Sequence, residues 1–361
     1  MSLESICGQL ILGGFSGATL PGSYARALRA ARRCGAILFA RNLGPDPEQV
    51  SALCRQMRAA TAAPLLAIDQ EGGRVARLRA PFLELPSMRA VATLEDEPFA
   101  ERIASAVGAE LAAVGVNINF APVVDVDTCP DNPIIADRAF GADPKTCERF
   151  GAAWIRGLQS TGILATAKHF PGHGDTSKDS HVDLPLVAQP RDRLDRVELP
   201  PFRAAAASGV AAMMTAHVVY PALDPRNPAT LSHAICTVLR EHIRFNGMLF
   251  SDDLEMRAIA DHWPIADAAV QAIAAGCDAL LVCHSFEEQE AAVDALVQEA
   301  ERSEAFRERC RQAFARVAHA RGRIAARPLD GDDLRRAVGG AQSRTVAEEL
   351  SRRLSSGGPS R

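Results

Sequence analysis

The segment spanning residues 165–185 reads ATAKHFPGHGDTSKDSHVDLP. It opens with a short apolar run that ends in KHF and continues into PGHG, which regular helices and strands do not accommodate. A polar loop over residues 175–183 follows and carries an acid and a histidine, Asp179 and His181. A strand that ends in charged side chains and leads into such a loop is typical of active sites on rigid scaffolds.

Outward from this segment, the chain alternates between two kinds of pattern. Eight short apolar runs occupy residues 10–12, 36–39, 65–68, 116–120, 165–167, 211–215, 248–250 and 279–282. They are apolar on both faces, as strands of a buried parallel sheet are. Segments of helical periodicity lie between and after them, at residues 23–33, 47–60, 98–114, 144–160, 191–207, 234–245, 265–275 and 287–301.

Eight strand–helix repeats predict the fold class α/β and a (β/α)8 TIM barrel built as a single domain. A doubly wound open sheet is the alternative, although the first strand–helix turn carries no GxGxxG phosphate-binding loop. We expect the barrel domain to cover residues 1–345. Residues 346–361 are expected to form a C-terminal helix and tail with a disordered end.

Polar side chains follow the predicted strands. They include Arg41, Asn42, Asp69, Gln70, Glu71, Asp125, Asp127, Lys168, His169, His217, Asp252, Asp253 and His284. In a TIM barrel these positions share the C-terminal rim, where active sites lie. Polar residues are expected wherever a strand stops, but the bias toward aspartate and histidine favours an active site.

Composition limits the classes of partner and compartment. The formal net charge is -4 and the pI is about 6.2, so the chain lacks the basic surface of a nucleic-acid-binding protein. Its nine cysteines are scattered and form no CxxC motif, which predicts a reducing compartment without a disulfide framework. The first residues carry no signal-peptide pattern, and no run is long enough to span a membrane. We therefore expect a cytoplasmic protein.

Four ordered motifs together resemble one enzyme family. They are KHFPGHG followed by DSH at residues 168–181, IDQEGGRVAR at 68–77, DRAFG at 137–141 and FSDDLEM at 250–256. The set is similar to the signature of bacterial β-N-acetylhexosaminidases of glycoside hydrolase family 3, of the NagZ type. The resemblance extends over about residues 8–325 and implies a TIM-barrel glycosidase without metal or organic cofactor.

The resemblance implies two catalytic groups. Asp252, the first acid of the FSDD motif, matches the family's nucleophile, which retaining cleavage places beneath the anomeric carbon. His181, paired with Asp179 on a mobile loop, matches the general acid/base. This role is chemically reasonable because histidine titrates near neutral pH and a neighbouring carboxylate favours its protonated form. Asp253 is expected to orient neighbours or to cap the next helix.

The family's sugar-binding residues map onto Asp69, Arg77, Arg138, Lys168 and His169. Each of them also fits a plain salt bridge in a charged rim. Glu71 is a further carboxylate, but it is assigned no catalytic role. We expect His173 to be structural and the loop over residues 171–183 to open and close, with Gly172 and Gly174 as hinges.

The resulting functional prediction is a retaining exo-β-N-acetylglucosaminidase. By resemblance, its substrate is N-acetylglucosamine linked β-1,4 to anhydro-N-acetylmuramic acid, with or without peptide, in cell-wall recycling. Three alternatives stay open: an N-acetylglucosaminide phosphorylase, a metal-dependent TIM-barrel hydrolase and a non-catalytic sugar-binding protein. We expect small carbohydrate partners, no nucleic acid or membrane, and a monomer or a dimer.

Overall fold

The eight apolar runs form the strands of a closed parallel barrel. The computed structural model describes residues 1–176, 184–325 and 328–356. In chain order the strands are β1 (Ile11–Gly13), β2 (Gly35–Leu38), β3 (Leu65–Ile68), β4 (Ile118–Asn119), β5 (Leu164–Phe170), β6 (Ala212–Thr215), β7 (Val219–Tyr220), β8 (Asp224–Pro228), β9 (Met248–Asp253) and β10 (Ala279–Val282). Strands β7 and β8 form a separate antiparallel pair that the sequence did not predict.

Around the barrel the strands follow the order β1-β2-β3-β4-β5-β6-β9-β10, and β10 pairs with β1 to close it. Neighbouring strands of the barrel pair in parallel. The predicted TIM barrel is therefore confirmed, and each predicted apolar run overlaps one barrel strand. In this order β9 lies opposite β3, so side chains at their two C-terminal ends face each other across the mouth.

The helices surround this barrel. In the described ranges the α-helices are α1 (Leu3–Gly8), α2 (Gly22–Arg29), α3 (Pro47–Ala60), α4 (Met88–Ala92), α5 (Glu97–Val114), α6 (Pro144–Ser160), α7 (Arg191–Arg196), α8 (Pro200–Ala207), α9 (His233–Thr237), α10 (Arg257–Ala260), α11 (Ile265–Ala275), α12 (Phe286–Arg302), α13 (Glu304–Gly322), α14 (Gly331–Ala337) and α15 (Ala341–Ser356). Local signals set their ends. Asp46, Asp96 and Asp143 accept amide hydrogen bonds as N-caps, each followed by a proline in the first turn.

Two predicted helices differ in the structure. The segment predicted as one helix over residues 191–207 is split into α7 and α8, because Pro200 and Pro201 supply no amide hydrogen and restrict the residue before them. The segment predicted over residues 234–245 is short helix α9 followed by a π-helical turn, Val238–His242. Both differences lie on the outside of the barrel.

The C-terminal helix α15 packs on α5. Buried Glu110 of α5 accepts a hydrogen bond from the Ser343 hydroxyl at 2.6 Å, and Arg353 pairs with Asp96 at 2.6 Å. The domain boundary after residue 345 stays a prediction. All nine cysteines are free thiols. Among the described helices, none combines the length and the apolar character that a membrane crossing requires.

Candidate active site

A cavity of about 440 Å³ opens at the C-terminal ends of the barrel strands. Six residues predicted for the site line it together: Asp69, Arg77, Arg138, Lys168, His169 and Asp252. They come from segments that are far apart in the sequence and meet because parallel strands end at the same rim. The other two predicted residues, Asp179 and His181, lie outside the described residues.

A network of charged side chains forms one side of the cavity. Lys168 donates from Nζ to Asp69 Oδ1 at 2.8 Å and lies 2.6 Å from Glu71 Oε1. Arg138 grips Glu71 with two hydrogen bonds, from Nε and Nη2, each 2.8 Å long. Arg77 reaches Asp69 Oδ2 from Nη2 at 3.3 Å. Lys168 and Glu71 are buried, whereas Asp69 and Arg77 are partly open to the cavity.

The network fixes its own protonation states. Burial alone would raise the pKa of the Glu71 carboxyl, but Arg138 and Lys168 together hold that pKa well below its usual value. Burial would likewise lower the pKa of Lys168, and the carboxylates of Asp69 and Glu71 raise it instead. Glu71 is therefore an ion held between two cations, which makes it unsuited to donate a proton.

Asp252 lies opposite this network, near the end of β9. Its Oδ1 accepts a hydrogen bond of 2.8 Å from the Asp253 amide. Burial would raise the pKa of Asp252, but the charges of His217, His169 and Lys168 and the Asp253 amide lower it below the usual value. Asp252 is therefore a buried, oriented carboxylate that stays ionised at neutral pH.

The Asp253 carboxylate binds backbone amides that lie outside the next helix. Its Oδ1 accepts from the amides of Glu255 and Cys283, each at 3.2 Å. Helix α10 begins only at Arg257, and its N-cap residue, Met256, makes no side-chain cap bond. The expectation that Asp253 caps that helix is therefore wrong, and the alternative, that it orients its neighbours, describes its contacts.

The family model of the glycosyl hydrolase family 3 N terminal domain matches residues 9–320. This chain belongs to glycosyl hydrolase family 3. A beta-hexosaminidase of Pseudomonas aeruginosa (strain LESB58) is 43% identical over 269 residues, which cover 73% of this chain and 78% of that protein. A beta-hexosaminidase of Nitrosomonas eutropha is 41% identical over 258 residues, 69% of this chain and 73% of that protein.

Solved structures of the family are similar over nearly the whole chain. A family 3 beta-N-acetylglucosaminidase from Paenibacillus sp. superposes with a TM-score of 0.91 at 37% identity, covering 98% of this chain and 69% of that chain. NagZ from Neisseria gonorrhoeae, in complex with N-trifluoroacetyl-D-glucosamine, superposes with a TM-score of 0.79 at 28% identity, covering 96% and 98%. The predicted family is confirmed, and the chain is a glycoside hydrolase of the β-N-acetylhexosaminidase type.

In this family 3 enzyme, the role of Asp125 was not apparent from the sequence. The Asp125 carboxylate is fully buried and accepts 2.7 Å hydrogen bonds from the His169 ring at Nδ1 and from the His173 amide. It also accepts from the His169 amide at 3.1 Å. The bond at Nδ1 leaves Nε2 as the ring atom that a ligand can reach. The only sequence signal was the position of Asp125 after a predicted strand.

Gln70 is a second residue whose role the sequence did not indicate. Its Oε1 accepts from the amides of Arg77 and Leu78 at 2.9 and 3.0 Å, and its Nε2 donates to the Leu78 carbonyl at 3.0 Å. The buried Gln70 side chain therefore ties the segment that carries Arg77 to the end of β3. No local pattern distinguishes this glutamine from a surface glutamine.

The first half of the loop over residues 171–183 is packed, although the whole loop was expected to open and close with Gly172 and Gly174 as hinges. Residues 171–174 are buried, as is Thr176. The Tyr220 hydroxyl donates to the Gly172 carbonyl at 2.7 Å, and the ring of buried His173 is hydrogen-bonded to Thr176 at 2.9 Å. These contacts fit the structural role expected for His173, which also lines the cavity, and that role stays a prediction. Residues 177–183 lie outside the described residues, and so does the expected motion of His181.

Histidines and acids are plentiful at this rim. Even so, within residues 1–176, 184–325 and 328–356 no group of three or more His, Cys, Asp or Glu side chains is arranged to hold a metal ion.

Proposed function

We propose that this family 3 enzyme is a retaining exo-β-N-acetylglucosaminidase with Asp252 as its nucleophile. One observation carries the proposal: an ionised, oriented carboxylate at the end of β9 faces the Asp69–Lys168–Glu71–Arg138 network across one cavity. A retaining glycosidase requires a nucleophilic carboxylate beneath the anomeric carbon and a proton donor at the leaving-group oxygen. The charged network supplies groups that can hold the hydroxyls of the sugar.

In the proposed reaction, Asp252 attacks the anomeric carbon and forms a glycosyl ester while the leaving-group oxygen takes a proton. Water then attacks the same carbon, releases the sugar with its original configuration and restores the carboxylate. The lowered pKa of Asp252 suits this role, because the nucleophile must be ionised before the sugar binds. The Asp253 amide occupies Oδ1, which leaves Oδ2 for the attack.

Asp69, Arg77, Arg138, Lys168 and His169 are proposed to hold the terminal sugar. The Asp69 carboxylate is partly exposed and anchored by Lys168, so it can accept from ring hydroxyls without changing its position. His169 is fixed by Asp125 and presents Nε2 to the cavity. Arg138 contributes indirectly: it holds the Glu71 carboxylate with two hydrogen bonds, and Glu71 in turn pairs with Lys168.

His181, with Asp179, is proposed as the proton donor and acceptor. Among the described residues, Glu71 is locked as an ion, and Asp253 accepts two backbone amides, so neither is placed as a mobile acid. A donor in the segment that follows Thr176 in the sequence fits this arrangement. A histidine there also suits chemistry at neutral pH.

By resemblance to the NagZ type, we extend the proposal to the natural substrate. It would be N-acetylglucosamine linked to anhydro-N-acetylmuramic acid in peptidoglycan fragments, cleaved in the cytoplasm by a monomer or a dimer. The bound N-trifluoroacetyl-D-glucosamine in the Neisseria NagZ complex supports an N-acylglucosamine in the cavity.

Covalent trapping tests the proposal directly. A fluorinated N-acetylglucosaminide with a good leaving group should inactivate the enzyme, and peptide mapping should find the sugar on Asp252. A label on Glu71 or Asp253 would overturn the assignment. Product analysis with and without inorganic phosphate separates hydrolysis from phosphorolysis, because only phosphorolysis yields a sugar 1-phosphate.

A further inference from the structure

A second cavity, of about 470 Å³, lies at the opposite end of the barrel from Asp252. It opens where β6 and β9 begin, next to Ala211 and Met248, and α13 lines one side of it with Arg316 and Ala320. In a TIM barrel this N-terminal face ordinarily serves stability and not catalysis. The proposed reaction uses none of the residues that line this N-terminal cavity.

The floor of the N-terminal cavity is apolar and held by hydrogen bonds. Val210, Phe245 and Met248 line it and are almost completely buried. Gly247 makes room for the Phe245 ring, because a Cβ there would lie 2.5 Å from the ring carbon Cζ. Arg240 donates to the carbonyls of Phe245 and Gly247 at 2.9 and 2.8 Å. A ligand with a small apolar body therefore meets a preformed surface.

The rim of the cavity is cationic. It carries four basic side chains, Arg244, Arg316, His319 and Arg323. Among the described residues that line the cavity, none is an aspartate or a glutamate. Arg244, His319 and Arg323 are exposed, and within the described parts of the chain their side chains form no salt bridge. Such a rim favours a negatively charged ligand.

Arg316 adds positive charge that the protein only partly neutralises. Its Nη1 lies 3.2 Å from Oδ1 of Asp278, which is fully buried. The same carboxylate pairs with Arg240 at 2.5 Å and with Arg309 at 2.6 Å, so it serves three guanidinium groups. Burial lowers the pKa of Arg240, the Asp278 charge opposes that effect, and the Arg316 charge lowers the pKa further. Arg316 is therefore oriented by a shared carboxylate, and 31% of its side chain is exposed.

The basic residues of the rim come from two segments. Cations near the C-terminal end of α13 stabilise that helix, which accounts for His319 and Arg323. The same effect does not account for Arg244, which follows the π-helical turn on another segment. Arg244 has a φ of 61°, the left-handed region that glycine and asparagine favour. An arginine at this strained position, facing the basic residues of α13 across the cavity, indicates a role for its side chain.

We propose that the N-terminal cavity binds a small organic phosphate. The phosphate group contacts Arg244, Arg316 and Arg323. The apolar body of the ligand lies over the Phe245 ring. Guanidinium groups hold phosphate oxygens with paired hydrogen bonds and stay charged at every physiological pH, so several of them suit a dianion. This inference does not depend on the proposed glycosidase function.

Titration calorimetry with phenyl phosphate measures the binding. This probe joins a dianion to an apolar ring, and the ring can bury apolar surface against Phe245. We therefore expect it to bind roughly tenfold more tightly than inorganic phosphate. Neutral benzyl alcohol should show no measurable binding. The affinity for phenyl phosphate should fall as the salt concentration rises, because salt screens exposed charges.

Arg244→Gln combined with Arg323→Gln should weaken the binding of phenyl phosphate by roughly tenfold or more, because both substitutions remove charge-assisted hydrogen bonds. Both side chains are exposed, so the melting temperature without ligand should stay unchanged. The single variant Arg323→Gln should show part of the same loss and tests the site even where the double variant does not fold. Arg226→Gln is the matched control, since Arg226 is an exposed arginine on β8 outside the cavity.

The active-site cavity is also lined by basic residues and is a second place where a phosphate can bind. Arg77→Gln changes that cavity and should leave the affinity for phenyl phosphate unchanged. A crystal soaked with 4-bromophenyl phosphate should show the bromine beside Phe245 by anomalous scattering. The inference is overturned if phenyl phosphate does not bind, if the double variant binds it with unchanged affinity, or if the affinity is lost in Arg77→Gln instead.

Discussion

Asp125 binds His169 through both the ring and the backbone of that residue. The carboxylate accepts from His169 Nδ1 at 2.7 Å and from the His169 amide at 3.1 Å, and it is fully buried. Burial would raise the pKa of Asp125, but the charge and hydrogen bond of His169 lower it. The orientation of His169, a proposed sugar-binding residue, is thus set by the fully buried Asp125.

This arrangement predicts that Asp125→Asn damages both stability and turnover. The amide group would place N–H donors where the carboxylate oxygens accept hydrogen bonds from His169 and His173, which costs about 3 kcal/mol at a buried charged group. We expect the melting temperature to fall by several degrees and kcat/KM to fall at least about tenfold. Asp127→Asn is the control, because Asp127 pairs with the half-exposed Arg89 and not with His169. Equal effects of both substitutions would contradict the positioning role.

Asp252→Ala should lower kcat by at least about a thousandfold, because it removes the proposed covalent nucleophile. Steady-state kinetics on an aryl N-acetylglucosaminide measure this loss. Asp261→Ala serves as the matched control, since Asp261 is an exposed acid on the same connection and pairs only with Arg257 among the described residues. Near-normal activity in Asp252→Ala would place the nucleophile elsewhere.

His181→Ala should affect poor leaving groups far more than good ones. A phenolate of low pKa departs without a proton, whereas a sugar hydroxyl needs one, so the loss for sugar leaving groups should reach roughly a hundredfold. A series of aryl glycosides with leaving groups of increasing pKa gives the slope. The same slope before and after substitution would indicate a positioning role for His181 instead of proton transfer.

The stability of the enzyme should depend on pH through His173. Burial, together with the positive charge of His169, lowers the pKa of His173 to about 4, compared with about 6.5 in an unfolded chain. Between these values the unfolded state binds more protons, so unfolding becomes easier as the pH falls. The neutral ring's contribution is complete above pH 6.5 and is lost progressively toward pH 4, about 3 kcal/mol in all.

Denaturant unfolding at several pH values between about 4 and 7 measures this effect. In His173→Gln, which cannot take up a proton, the slope of stability against pH should be smaller by about one proton. His262→Gln, an exposed histidine, should leave the slope unchanged. Parallel slopes in the unaltered enzyme and His173→Gln would show that His173 does not titrate in this way.

The barrel was predictable because its signals are local. The run at residues 65–68 coincides with β3, and the segments at residues 47–60 and 144–160 coincide with α3 and α6. Each is marked by its own hydrophobic pattern and by proline at the start. The collection of polar residues at one rim followed from topology, since parallel strands of a barrel end on the same face.

The contacts that arrange the site were not predictable, because they join distant parts of the chain. Gln70 and Asp125 show no local pattern that separates a structural polar residue from an exposed one. The packing of the loop after β5 was not predictable either, because its glycines and polar residues indicated a mobile segment. In the structure, Tyr220, which lies 48 residues after Gly172, donates a hydrogen bond to the Gly172 carbonyl. The carbonyl of Val126, in the connection after β4, lies against Gly174.

Gly174 shows what this packing implies. A Cβ at this residue would lie 1.8 Å from the Val126 carbonyl oxygen, so any side chain must displace backbone. A free hinge at Gly174 would leave the melting temperature of Gly174→Ala nearly unchanged, but this contact argues against such a hinge. We predict instead a loss of several degrees together with lower turnover, as overpacking in a buried site costs about 1–3 kcal/mol or more.

Gly322→Ala, where an added Cβ meets no atom within 4 Å, is the control and should melt like the unaltered enzyme. A Gly174→Ala protein with an unchanged melting temperature but reduced turnover would mean that residues 171–176 yield easily, and that the loop moves from its first glycine onward.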